Sequence, residues 1–326
     1  MRDVVVKAKA KLGKIPNEEF YFSLANEDNF EKKVNMLKRF YPDLNLIKDK
    51  IGLEAYNFNK AYAEIKSLDY FLKGYESDFF NLYFSKYEIL FLQEIIIALV
   101  NDNFSKNYLR FIHNPLSANF ILEANMDLEN FININIDSKY YRTILPFLNR
   151  NMQNEDFSFL LSNALVKYYY RSLIKLTKNF PTNESRLIRE FIGEEINLLN
   201  FEMIYRLKTY YDINDTDIFN FLINGGNGYK ADRLRKLSLL SNEEFLNSMK
   251  SGKYKNVFVE NTSLHKEIRK REYKLYRSEI RKEESDILYV ISAMNLIFIH
   301  VENIDALLEL DDSFTKEERL DYLIVR

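Results

Sequence analysis

Cysteine is absent from the 326 residues, which removes disulfides, thiol nucleophiles and cysteine-ligated metals at once and is compatible with a reducing compartment. Histidine is nearly as scarce. His113, His265 and His300 have no Glu three positions ahead of them, and no His-Glu-x-x-His spacing occurs, so no metal centre is expected. Only five prolines and eight glycines punctuate the chain, with no glycine between Gly74 and Gly193. Long stretches without breakers favour helix, because glycine costs roughly 1 kcal/mol and proline roughly 3 in a helix interior. Net charge of one sign is also lacking: 46 basic against 48 acidic side chains leave −2, with no global attraction for nucleic acid or an anionic surface.

No apolar run is long enough for a bilayer. The longest, Ile287 to Val301, carries Ser292, Asn295 and His300 and falls short of the ~18 to 20 apolar residues a crossing needs, so a buried helix is expected. The opening MRDVVVKAKAKLG alternates apolar residues with lysine and reads as neither signal peptide nor membrane span.

What is present is helical pattern. Helices are expected from Asn17, from Asp28 to Phe40 with Pro42 as the stop, from Leu53 to Lys73 ending at Gly74, and from Phe79 to Val100. Further on, helical character runs from Ser138 to Tyr170 with a break at Pro146, and from Glu184 to Tyr210. Ser241-Asn-Glu-Glu244 and Thr315-Lys-Glu-Glu318 fit capping boxes. Two stretches read as short extended segments: Ile132, Ile134 and Ile136 alternate with asparagines at the strand period, and Lys253 to Asn261 surrounds Val257-Phe258-Val259. From Leu264 to Glu284 eight basic and five acidic residues flank a narrow apolar stripe of Leu264, Ile268, Leu275 or Tyr276, and Ile280, the pattern of an amphipathic helix. Its mixed charge argues for a solvated, internally paired face, then for protein docking, and least for nucleic acid.

A short frame recurs. Glu94-Ile-Ile-Ile-Ala-Leu99, Glu202-Met-Ile-Tyr-Arg-Leu207 and Glu302-Asn-Ile-Asp-Ala-Leu307 share Glu-x-Ile-x-x-Leu, each following an apolar segment. Intervals of about 100 residues point to three tandem units, although three fixed positions among abundant residue types also arise by chance. The glutamates either point out of their helices towards solvent or an arginine, or line a common axis as equivalent acids. Gly225-Gly-Asn-Gly-Tyr-Lys230 lacks the Gly-Lys-Ser/Thr of a P-loop and the third glycine of a dinucleotide fingerprint, and reads as a helix-terminating turn. Gly-x-Ser-x-Gly does not occur.

Asn295-Leu-Ile-Phe-Ile-His-Val-Glu-Asn-Ile304, the ending Phe314-Thr-Lys-Glu-Glu-Arg-Leu-Asp-Tyr-Leu-Ile324, Phe221-Leu-Ile-Asn-Gly-Gly226, Glu194-Glu-Ile-Asn-Leu198 and the start Val6-Lys-Ala-Lys-Ala10 form a set. With Leu37 to Tyr41 they resemble the C subunit of the bacterial and archaeal V/A-type rotary ATPases, the counterpart of the d subunit in the eukaryotic vacuolar enzyme. Tyr87-Glu-Ile-Leu90 departs from the family's usual Asn-Leu pair. The resemblance covers nearly the whole chain, through packing patterns and not catalytic signatures.

It implies an all-α protein of three pseudo-equivalent helical units, 1–115, 116–223 and 224–326, arranged as a funnel or socket. It further implies a non-catalytic central-stalk subunit that couples the shaft of the soluble motor to the membrane rotor ring of proteolipid subunits. The expected place is peripheral, on the cytoplasmic face of the membrane, with no cofactor, nucleic acid or small-molecule substrate. Glu94, Glu202, Glu302, Gly225, Gly226, Lys230, Arg269, Lys270 and Arg277 are the expected partner-binding residues. A generic helical scaffold is the alternative, although no period of about 34 to 47 residues is visible. An enzyme using a glutamate with Arg or Tyr is a further rival.

Overall fold

A computed structural model describes residues 2–41, 44, 50–148, 154–211, 213–260, 262–310 and 313–324. Sixteen α-helices and no strand occur among them. In chain order these are α1 (Arg2–Leu12), α2 (Glu18–Ala25), α3 (Phe30–Leu37), α4 (Lys50–Asp69), α5 (Tyr75–Val100) and α6 (Phe104–Ile112). There follow α7 (Leu128–Ile134), α8 (Tyr141–Ile144), α9 (Asn154–Leu176), α10 (Thr182–Tyr210) and α11 (Asp215–Ile218). The chain ends with α12 (Ala231–Leu239), α13 (Asn242–Lys250), α14 (Leu264–Lys282), α15 (Asp286–Glu309) and α16 (Lys316–Asp321).

Packing divides the chain into two compact units. Unit 1 comprises Met1–Ser77, Asn197–Leu222 and Gly228–Arg326, and unit 2 comprises Asp78–Ile196 and Ile223–Asn227. Both long helices α5 and α10 therefore contribute one end to each unit. The tandem reading in three is a matter of internal sequence similarity.

Unit 1 is built around α15. It is apolar on every side, with 17 of its 24 residues buried, as a helix in the middle of a core must be. It packs against α14, α1, α4 and α2. By length and composition α15 is apolar enough to cross a membrane, but its most apolar stretch is 83% buried among these neighbours, and it is the core helix. Its first turn is capped by Ser285, whose side chain accepts from Leu288 N. At the other end the Lys33 ammonium, 2% exposed, donates to the carbonyls of Leu307 (2.7 Å), in the last turn of α15, and of the C-cap Leu310 (2.9 Å). Arg319 of α16, nearly as buried, donates to Ala25 O at the end of α2 and pairs with Asp28 at 2.7 Å.

In unit 2, α5, α9 and α10 meet through aromatic rings. Phe79 lies edge-on to Phe180 at 5.4 Å, and Tyr83 touches Phe191. The Tyr83 hydroxyl donates to the buried Glu195 carboxylate, and Tyr169 donates to Tyr83 O at 2.7 Å. A buried carboxylate is tolerable when it is so bonded. The glycine-poor span is needed here, because α5 runs 26 residues without interruption and Ile95 to Ile97 lie in helix, not strand.

Both extended segments expected from the sequence are helix or turn. Ile132 and Ile134 belong to α7: Asp127 caps it, accepting from Asn130 N at 2.8 Å, and Phe131 and Ile132 are buried while Ile136 is 56% exposed. The decisive residue is Asn135, one turn from Phe131. Its amide bonds Phe131 O and both backbone groups of Ile121, a local alternative that outweighs the apparent period of two. Residues 253–260 form successive turns, with Val257 N donating to Tyr254 O. Tyr254 and Phe258 pack on Phe201, and the neighbours Val257 and Phe258 are both buried, where a strand would send them to opposite faces.

The helix expected from Asp28 to Phe40 is shorter at both ends, starting after the Asn29 cap, and Pro42 lies outside the described residues. The capping boxes at Ser241 and Thr315 are both formed. The helix expected from Leu53 to Lys73 ends earlier, at Asp69, and Gly74, with φ +56°, is not its stop but the left-handed residue directly before α5.

Candidate functional site

The recurring frame has one structural meaning at all three places. Ile96, Leu99, Ile204, Leu207, Ile304 and Leu307 are all buried, and only Leu99 shows any surface to solvent, 6% of it. Each frame thus sends its Ile and Leu, three residues apart, into the core of a long helix contact, and the glutamate leaves on the other side. Glu94 on α5 meets Arg110 on α6 at 3.2 Å in unit 2. In unit 1, Glu202 on α10 meets His265 Nδ1 at 3.0 Å, and Glu302 on α15 meets Arg269. Two glutamates therefore face an arginine and the third a histidine.

His265 and Arg269 stand four residues apart on α14, so this one charged helix is tied to α10 on one turn and to α15 on the next. Arg269 Nη2 reaches both Glu302 oxygens, at 2.7 and 2.6 Å, while Nη1 bonds Glu272. Such a doubly engaged guanidinium is geometrically specific. The hydrogen bond to the Glu202 carboxylate raises the His265 pKa above the ordinary imidazole value, against the opposing effect of burial. Lys270 pairs with Glu267 at 3.0 Å, Lys266 with Asp321 at 2.6 Å and Lys282 with Glu279 at 2.6 Å. Arg277 is different: it is exposed, lies 5.9 Å from the Tyr273 ring and has no ion pair among the described residues.

The sequence pattern of the ATP synthase (C/AC39) subunit family matches residues 4–313, nearly the whole chain. The chain belongs to this family. Among curated relatives, it is 24% identical over 238 residues to the C subunit of an A-type ATP synthase from Methanococcoides burtonii, an alignment covering 70% of this chain and 61% of that protein. It is also 24% identical over 267 residues to the C subunit of an A-type ATP synthase from Methanosphaera stadtmanae, covering 78% and 66% respectively. The chain thus spans less than two thirds of the length of these relatives.

Within this family member the glycine-rich turn is a packing device. Gly193 on α10 has no room for a side chain, because a Cβ there would lie 2.7 Å from Asn227 N, and that amide donates to Gly193 O. Asn227 Nδ2 continues the contact to Glu194 at 2.8 Å. Gly225 adopts φ +117°, and its position is crowded by Ile174 and Ile196. Gly226 is half-buried, whereas Lys230 is exposed just before α12.

The histidines are dispersed. His113 closes α6, His265 pairs with Glu202, and His300 shares a hydrogen bond with Tyr21 while stacking on its ring at 5.6 Å. Among the described residues no group of three or more His, Asp or Glu side chains converges as metal ligands would. Sequence reasoning missed Lys33, Arg319 and the Tyr83–Glu195 pair. Lys33 alone left a trace, since it shares a helix face with Leu37.

Proposed function

We propose that this chain is a non-catalytic central-stalk subunit of a V/A-type rotary ATPase, coupling the shaft of the soluble motor to the membrane rotor ring. Membership of the ATP synthase (C/AC39) subunit family over residues 4–313 is the observation that carries this reading. The three glutamate frames agree with it: each anchors a long helix by the same buried Ile and Leu, which fits three pseudo-equivalent units, 1–115, 116–223 and 224–326, closing as a funnel around the shaft. Passing torque requires stiff helices and complementary rims, and it requires no cofactor or turnover from this chain. The partners in this reading are the shaft subunits and the proteolipid ring, and the place is the cytoplasmic face of the membrane. Glu94, Glu202, Glu302, Gly225, Gly226, Lys230, Arg269, Lys270 and Arg277 mark the regions proposed to adjoin those partners. The direction of operation and the ion carried are separate properties of the ring and motor.

Removing the chain from the assembled complex tests the proposal. ATP hydrolysis by the soluble motor is expected to persist while ATP-driven ion transport into vesicles disappears, and re-adding the purified chain restores transport. Undiminished transport by a complex lacking the chain overturns it.

A further inference from the structure

Unit 1 contains a pocket of about 460 Å³ between the α1–α2 connection, α2, the second half of α14 and α15. This lies within the ~300 to 1,000 Å³ of ordinary small-molecule sites. Its walls are apolar: Leu12 and Ile15 on one side, Ile280 and Leu296 on the other. Its inner end is the stacked pair of Tyr21 and His300, which share a hydrogen bond, and burial disfavours charge on both rings. Burial, with Arg277 adding its repulsion, pushes the His300 pKa down to about 3.

The charge lies elsewhere, on Arg277 and Arg281. These line the pocket one helical turn apart, both are exposed, and neither has an ion pair among the described residues. Elsewhere on α14, Lys266, Arg269, Lys270 and Lys282 are paired with carboxylates, and Arg271 and Lys274, which have no ion pair among the described residues, lie outside the pocket lining. Like charges at i and i+4 repel, so two guanidinium groups left together at the mouth of an apolar pocket would be stabilised by an anion held between them. Glu18 is the only acid among the described lining residues, which together carry one net positive charge and disfavour a bulky polyanion.

We propose that this pocket binds a small amphiphile with a single phosphate or carboxylate head held by Arg277 and Arg281 and an apolar body lying between Leu12, Ile15, Ile280 and Leu296. The site is independent of the rotary reading and adds a ligand to it. The molecule is bound and not turned over.

Titration calorimetry on the full chain with octyl phosphate, 1-octanol and inorganic phosphate tests each half of the recognition. Saturable binding of octyl phosphate, one per chain, is expected, with octanol and inorganic phosphate each at least about tenfold weaker. Arg277→Gln and Arg281→Gln should each weaken octyl phosphate about tenfold, the loss expected for a charged hydrogen bond, while Lys274→Gln, outside the pocket, leaves it unchanged. Unaltered circular dichroism melts separate lost binding from lost folding. Cosedimentation with phosphatidate-containing vesicles that depends on Arg277 assigns the head group to a lipid; octyl phosphate binding without cosedimentation assigns it to a free amphiphile. Either result supports the site. No saturable octyl phosphate binding, equal binding of octanol, or indifference to both arginine substitutions overturns it.

Discussion

Helices α14 and α15 lie side by side in unit 1 and are held by opposite means. Along α15, 17 of 24 residues are buried; along α14, only Ile268, Tyr276 and Glu279 among 19. Dispersion and the hydrophobic effect fix the first, whose position hardly depends on any single polar group. The second is positioned by a thin apolar stripe and by charges addressed to specific neighbours, Glu202 and Glu302. A core helix tolerates no change of shape, whereas a tethered helix tolerates loss of most charges but not of those that select its partners.

Three substitutions sharpen that contrast. The largest effect is expected from Ile291→Ala in α15, where a fully buried side chain leaves a cavity costing about 2–5 kcal/mol, against clearly less for Ile280→Ala on half-exposed α14. Urea unfolding followed by circular dichroism compares the two, and equal losses would erase the distinction. Next, Arg269→Gln should destabilise by about 1–3 kcal/mol, because it strands Glu272 and Glu302 together. Lys282→Gln, removing a lysine that is half-exposed, should stay within about 0.5 kcal/mol. A similar loss for both would mean that α14 is not addressed by its charges.

A gain, not a loss, is expected at Asp305, a partly buried carboxylate of α15. Burial raises its pKa to about 7, opposed by the Asn57 hydrogen bond at 2.7 Å and reinforced by Glu54, Glu309 and Glu302. Its folded-state pKa is raised, so the folded protein holds a proton that the unfolded chain releases as pH rises above the ordinary carboxylate value. Stability is therefore lost across the interval up to about pH 7. Asp305→Asn keeps an acceptor for Asn57 and should gain about 1 kcal/mol at pH 8, given about 1.4 kcal/mol per pKa unit less the screening by solvent that reaches the site. Thermal melts at pH 5 and pH 8 check it: the gain should be present at pH 8 and shrink at pH 5.

The helices legible in the sequence are those whose information is local. The unbroken runs of α5 and α10, the Ser241 and Thr315 boxes and the apolar circumference of α15 all follow from residues within a few turns of one another. Where the sequence misled, a side chain reached beyond its own pattern: Asn135 turned an alternating run into helix by bonding Ile121. The buried cations were not legible for the same reason. Lys33 and Arg319 serve carbonyls at the ends of α15 and α2, some 270 to 290 residues away, and only the packed fold brings them there. Of the candidate site, the glutamate frames were visible, since Glu-x-Ile-x-x-Leu is a helix-face pattern; that Glu202 and Glu302 converge on successive turns of α14 was not. The pocket was invisible, because it depends on which arginines of a mixed-charge helix are left unpaired.

The crossing of Asn227 over Gly193 makes two distant positions answerable to each other. A methyl group on the helix would evict the loop, and a loop that withdrew would free the helix to carry any residue. Homologues should therefore divide into those with a bare position beneath a tight crossing and those with an ordinary side chain beneath a raised or shortened one, and a chain mixing the two halves should lose the crossing.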